Sequence, residues 1–160
     1  MAQRAGMSLE DRVQLASEAV RNGSADDIVF VWRGSLDDDE MVDLVVSHGG
    51  RPEHGWWERI RPHSLGWVTA RTVDGTLVGF ANVAWDGSDH AFLLDPKTRG
   101  SFQRQGIGRL LVSLAAEHAK AAGCEWLHVD FDPELRPFYL EACAFTPTEG
   151  GLIHLMSRVR

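Results

Sequence analysis

The chain has only two cysteines, Cys124 and Cys143, and they are not in CxxC spacing. A zinc ribbon or a redox pair is therefore not expected, and both thiols read as reduced and half-buried. Seven histidines are scattered with no HExxH or similar pattern, so no metal is expected either. No apolar run approaches the roughly 18 residues that a membrane span requires. The opening residues, MAQRAGMSLEDR, lack the apolar core of a signal peptide, and the expected location is the cytoplasm. Positive charge is in deficit. Lysine and arginine number 16 against 23 acidic residues, a net charge of −7. That sign suits neither DNA nor RNA as the main partner, although a local basic patch could hold a phosphorylated small molecule. There is no internal repeat, no low-complexity tract, and a single tyrosine, Tyr139.

The 160 residues, 44% of them hydrophobic, match one ordinary domain. A chain of that length buries roughly 70% of its unfolded surface and needs no disulfide or metal to fold. SLEDRVQLASEAVRNG reads as an amphipathic helix from a Ser8 cap to Asn22-Gly23. DIVFVWRG is a strand. SLDDDEMVDLVVSHGG is a helix with an acidic first turn and a Gly49-Gly50 stop, its DDDE run serving as cap and solvated surface. GWWERIRPHS reads as a short helix closed by Pro62. The period then changes: GWVTARTVDGTLVGFANVAW is two strands joined at Asp74-Gly75. HAFLLDPKTR is a third strand, in which Pro96 forces a bulge or an edge position. GIGRLLVSLAAEHAKAAG is a helix ending at Gly123, with Ile107, Leu110, Leu111, Leu114 and Ala115 on its core face. CEWLHVDF reads as a buried strand, PELRPFYLEACAF as a short helix with Pro133 in its first turn, and LIHLMSRV as a last strand. This order predicts an α/β mixed sheet, mostly antiparallel with one parallel β-α-β crossover, and helices on its faces.

The stretch FQRQGIGRLL carries the clearest chemistry. The free N–H groups of a helix's first turn attract anions. Glycine at Gly106 and Gly108 removes the Cβ that would hold a ligand away, and Arg104 and Arg109 add charge suited to phosphate. A pyrophosphate site follows. It is not a P-loop, because Arg109-Leu110 stands where Lys-Ser/Thr is required. It fits a dinucleotide turn poorly, because Leu111 occupies the third glycine position.

Gln103-x-x-Gly106-x-Gly108, after a strand and opening a helix, resembles the acetyl-CoA signature of the GNAT superfamily of N-acetyltransferases. The element order resembles that superfamily's, and LRPFYLEACAF resembles its later motif, in which a helix carries a tyrosine just before a Gly-Phe pair. From about Gly66 to Leu155 the chain is similar to a bacterial subgroup whose members are mostly uncharacterised. It departs from the pattern at Ala144 (usually glycine), Gly100 (often proline) and Asp132 (commonly asparagine). The resemblance implies a single transferase domain over residues 25–160, with residues 1–24 as a helical extension. It implies that the pantetheine arm pairs like an extra strand with the backbone at Lys97, Thr98 and Arg99. It implies that Gln103, Arg104, Gln105, Gly106, Ile107, Gly108 and Arg109 cradle the pyrophosphate, with Asp132 offering one further polar contact.

Acetyl transfer to an amine requires proton removal, stabilisation of the thioester oxygen and a proton for the departing thiolate. Tyr139, at the place of the family's tyrosine, is the candidate general acid; a phenol of pKa about 10 holds its proton at neutral pH. Asp95 is the candidate base, or orients a water or the cationic substrate; His128 and Asp130 are its rivals and otherwise line the acceptor site. Trp56 and Trp57, with Arg59 and Arg61 nearby, form either an aromatic wall for the acceptor or part of the core. The net charge, with Asp95, Asp130 and Asp132, points to a cationic amine. The expected activity is acetyl-CoA-dependent N-acetylation of a small-molecule or peptide amine, with no nucleic-acid or membrane partner and a homodimer left open. The alternative is a CoA-binding sensor or interaction module that has lost catalysis.

Overall fold

The computed structural model describes residues 28–156. The helix read over residues 8–22, and with it the extension over 1–24, lies outside them. The chain divides into two compact units, one ending at Asp130 and the other beginning at Phe131.

The first unit is a five-stranded sheet in the order β1-β2-β3-β4-β5, where β1 is Val29–Trp32, β2 Ser64–Arg71, β3 Leu77–Trp85, β4 His90–Thr98 and β5 Trp126–His128. The first four strands pair antiparallel and β4 pairs parallel with β5. A parallel pair needs a crossover, here helix α3, Ile107–Ala121. Helices α1, Asp38–His48, and α2, Trp56–Ile60, connect β1 to β2.

Local chemistry fixes the ends of α1. Asp37 caps the helix, accepting from the Glu40 N–H at 2.8 Å, while the Glu40 carboxylate accepts from the Asp37 N–H at 3.1 Å. Gly49, at φ +93°, closes the other end. Glu40 also grips Arg71 of β2 through two N–H···O bonds, so the acidic run caps the helix and ties it to the sheet. The β2–β3 hairpin turns at Asp74-Gly75, as the sequence predicts.

Neighbouring residues on a strand face opposite ways, and Gly79 and Phe80 show what lies on each side. A Cβ at Gly79 would come within 2.9 Å of Leu111 and 3.2 Å of Ile107, so α3 lies directly against this backbone. Phe80 packs on the other side with Met41, Leu44, Trp57 and Leu77. Helices thus cover both faces. Of the predicted α3 stripe, Ile107, Leu111, Leu114 and Ala115 are buried and Leu110 is half-buried.

Two strand readings need correction. CEWLHVDF yields only three residues of strand, and Trp126 is 59% exposed. It is an edge strand with β4 as its one partner, so its apolar residues gain little burial. The described part of LIHLMSRV forms no strand, and Leu152, Ile153, Leu155 and Met156 are exposed. β-Propensity alone does not hold a segment that has no strand to pair with.

The second unit carries short turns rather than one regular helix: a 3₁₀ turn at Pro133–Leu135 and a π-helical segment at Pro137–Ala142. Proline starts each, where its missing N–H costs nothing. No helix among the described residues is long and apolar enough to cross a membrane.

Candidate active site

Strand β4 is irregular where its chemistry lies. Leu94 pairs with Asn82 and Lys97 with Phe80, so Asp95 and Pro96 together oppose Ala81. This is the bulge that Pro96 predicts. Asp95 occupies the left-handed region at φ +54°, which aspartate tolerates better than most residues. Pairing between β4 and β5 covers only His90, Phe92 and the residue between them. Beyond that point β4 has one edge with no strand partner among the described residues, which leaves backbone groups for an extended ligand.

The Lys97 ammonium lies 2.9 Å from Asp95 Oδ1 and 5.6 Å from the centroid of the Trp56 ring. Both distances are those of favourable contacts. The three residues line a pocket of about 210 Å³ together with Met41, Val42 and Val45 of α1 and Arg51 and Glu53 of the α1–α2 loop. Asp38 fixes the entry to α2 by accepting from the Gly55 N–H at 2.8 Å. Trp56 and Trp57 part here. Trp56 is half-buried at the pocket, whereas Trp57 is 2% exposed, edge-on to Phe80 and Trp67. As a substrate-binding residue Trp57 is therefore corrected: it is core, because adjacent positions on a helix point about 100° apart and only one can face the sheet.

The glycine turn opens α3. Gly106 stands at the N-cap position with φ +85°, and no side chain caps the helix. A Cβ there would meet nothing within 4 Å. The first N–H groups of α3 are thus left for an anion beside open space. Arg104, itself at φ +62°, and Arg109 are exposed and make no hydrogen bond or ion pair among the described residues. Gln105 donates to the Ser101 carbonyl at 3.2 Å. Ile107 is buried and Gly108 half-buried.

Two predicted ligands of the cofactor are engaged in the fold. Gln103 donates to the Thr98 carbonyl at 3.3 Å, which His48 Nδ1 also meets at 3.0 Å. Arg99 donates to the Leu77 carbonyl at 3.1 Å and pairs with Asp43 of α1. Their side chains brace the turn against β3, β4 and α1. Thr98 is buried.

His128 belongs to a different cluster. Its Nε2 lies 2.7 Å from Nδ1 of His90, and its ring stacks on Phe92 at 4.9 Å. His90 was not anticipated; its parallel register opposite Trp126, two residues before the Phe92–His128 pair, is a signal that only the sheet reveals. Asp130 is exposed. In the second unit Asp132 is exposed, and Tyr139 is buried among Phe131, Phe138 and Phe145. Arg51 and Glu53 were also missed, although Arg51 directly follows the Gly49-Gly50 stop. The Asp95–Lys97 pair could not have been read from strand alternation, because the bulge at Asp95 and Pro96 breaks the period of two between them.

An uncapped glycine-led helix start and a bulged strand with a free edge offer the groups that an extended, phosphate-bearing ligand requires. The sequence profile of the acetyltransferase (GNAT) family matches residues 32–145, and the chain belongs to that family. GNAT enzymes use acyl-CoA donors and amine acceptors. Solved structures share the fold. A Staphylococcus aureus protein of unknown function, described as a probable acetyltransferase, superposes with TM-score 0.68 at 22% identity, over 79% of this chain and 98% of that one. Glucosamine-6-phosphate N-acetyltransferase from Arabidopsis thaliana gives 0.62 at 15% identity, over 79% and 99%. AAC(6')-Iy in complex with the bisubstrate analogue CoA-S-monomethyl-acetylneamine gives 0.64 at 19%, over 81% and 97%. No curated protein sequence matches the chain.

Proposed function

We propose that this chain is an acetyl-CoA-dependent N-acetyltransferase that delivers the acetyl group to a primary amine by direct attack within a ternary complex. The observation that carries the reading is the uncapped start of α3 at Gly106, with open space where a side chain would stand. The backbone from Gln103 to Arg109 holds the pyrophosphate there, and Arg104 and Arg109 supply charge. The free edge of β4 at Lys97, Thr98 and Arg99 pairs with the pantetheine amides, in a single transferase domain over residues 25–160. Tyr139 protonates the departing thiolate. Asp95, held in its ion pair with Lys97, orients the amine. Asp132 contributes a polar contact to the cofactor.

Acetyl-CoA should raise the melting temperature, since a ligand that binds only the folded state stabilises it. ATP and NAD should shift it much less. Gly108→Val should remove the acetyl-CoA shift by placing a branched side chain against the pyrophosphate. Release of free CoA with a panel of amines then separates a transferase from a CoA-binding module. A shift with ATP but none with acetyl-CoA defeats the assignment.

A further inference from the structure

The pocket beside Asp95 is lined by charges of both signs, and their pairing says what is missing. Glu53 accepts from Arg59 at 2.5 Å, and Asp95 accepts through Oδ1 from Lys97 at 2.9 Å. That leaves Arg51, which has no hydrogen bond or ion pair among the described residues. A bare polyamine would bring more positive charge to a wall that already holds Arg51 and Lys97. The negative charge expected at Asp95 from the sequence is compensated within the pocket itself. A ligand that complements this lining brings an anion for Arg51 and an ammonium for the remaining oxygen of Asp95.

The other walls fix the rest of the molecule. The Trp56 face already accommodates one ammonium, that of Lys97, at 5.6 Å. Met41, Val42 and Val45 add an apolar side. At about 210 Å³ the pocket is smaller than sites that take drug-sized ligands, so the part held here is small.

We propose that the acceptor is a free α-amino acid with an apolar side chain. Its carboxylate binds Arg51, its amine meets the Asp95 oxygen that Lys97 leaves open, and its side chain packs on Met41 and Val45. This rests on the reading that the acetyl acceptor enters beside β4. In the transfer step the bound ammonium first gives one proton to solvent, and the neutral nitrogen then forms the new bond to the thioester carbonyl carbon. The carbon–sulfur bond breaks, and CoA leaves as the thiol once a proton reaches its sulfur. The nitrogen gives its second proton to solvent.

The test pairs each amino acid with the amine that lacks its carboxylate: L-leucine with isopentylamine, and L-phenylalanine with phenethylamine, with spermidine alongside. Calorimetric binding to the full chain and acetyl-CoA-dependent release of free CoA are both measured. A charge-assisted contact of this kind predicts that each amino acid is preferred over its partner amine by roughly tenfold or more. Arg51→Gln should collapse that ratio toward one, and Arg51→Lys should restore part of it. Arg51 is exposed, so neither change threatens the fold. If isopentylamine or spermidine is bound and acetylated as well as L-leucine, the amino-acid proposal is overturned while amine acetylation stands. If L-leucine binds with the Arg51 dependence but no amine releases CoA, the pocket chemistry is upheld and the transferase reading fails. If neither amino acid binds or turns over, the proposal is overturned.

Discussion

Trp32 and His118 stack face to face, with ring centroids 4.3 Å apart and 4° between their planes. The contact joins the end of β1 to the last turns of α3. Gly66 makes room for it: a Cβ there would lie 2.1 Å from the Trp32 ring. Burial, with the nearby positive charge of Arg33, holds the His118 imidazole below its ordinary value of 6.5. The folded state therefore favours the neutral ring. As pH falls through the ordinary value, the unfolded chain takes up a proton before the folded one does, and stability drops. The melting temperature should fall from about pH 8 to about pH 5. His118→Phe keeps a flat ring against Trp32 and removes the titration, so its profile should be flatter in this range. Equal slopes for the two proteins would refute the link. Glu40 acts in a separate, more acidic window. Its hydrogen bonds from Arg71 hold the carboxyl below 4.5, so that contribution is lost only as pH falls further.

Asn82 sits in the middle of β3 with no exposure, and neither its Oδ1 nor its Nδ2 has a hydrogen-bond partner among the described residues. It lies between Trp67 and Leu94 in an otherwise apolar run, LVGFANVAW. A buried amide without partners costs about 1–3 kcal/mol. Asn82→Leu is close in shape and carries no polar atoms. It should raise the urea midpoint, by an amount equivalent to about 1 kcal/mol or more. A lowered midpoint would mean that the amide is satisfied in solution.

Ala144 holds φ +60° just after the π-helical segment, where the family's pattern has glycine. The conformation is required, because the Phe145 N–H turns back to the Tyr139 carbonyl at 3.0 Å and closes the segment. An alanine in this region costs about 1 kcal/mol more than glycine, partly offset by the greater freedom that glycine loses on folding. Ala144→Gly should therefore stabilise the protein by up to about 1 kcal/mol, read from chemical denaturation. Destabilisation would argue that the segment adopts another backbone in solution.

Features written in contiguous residues were legible in the sequence. The Asp37–Glu40 capping box, the Gly49 stop, the Asp74-Gly75 hairpin, the Pro96 bulge and the glycine turn at Gly106 each depend on a few neighbours and on backbone rules that hold in any fold. What depends on packing was not legible. Trp56 and Trp57 are adjacent and chemically alike, and only the placement of α2 against Phe80 decides which is core. Gln103 and Arg99 carry polar side chains suited to a ligand, and only the fold shows that these side chains reach the Thr98 and Leu77 carbonyls. His90 and His128 lie 38 residues apart and meet only because β4 and β5 run parallel. The exposed Trp126 shows the same limit, since β-propensity carries no information about how many neighbours a strand will have.

Tyr139 offers the sharpest test of the chemistry. Its ring is buried, stacked on Phe131 at 4.6 Å and edge-on to Phe138 at 4.8 Å, so its position does not depend on the hydroxyl alone. Phenylalanine keeps those contacts and removes the only proton that the side chain can donate. Tyr139→Phe should therefore fold normally and retain nearly all of its acetyl-CoA affinity, as read from the thermal shift. The loss should appear in kcat, by roughly 10²-fold if the phenol protonates the departing sulfur. A thiolate is a fair leaving group without help, so a residual rate is expected, and a loss of about tenfold would mark a minor role. The measurement must be made where chemistry limits turnover, which a burst experiment establishes by showing that CoA release is not preceded by a fast phase. A Tyr139→Phe protein with unchanged kcat under those conditions would remove the tyrosine from the mechanism and leave solvent as the proton source.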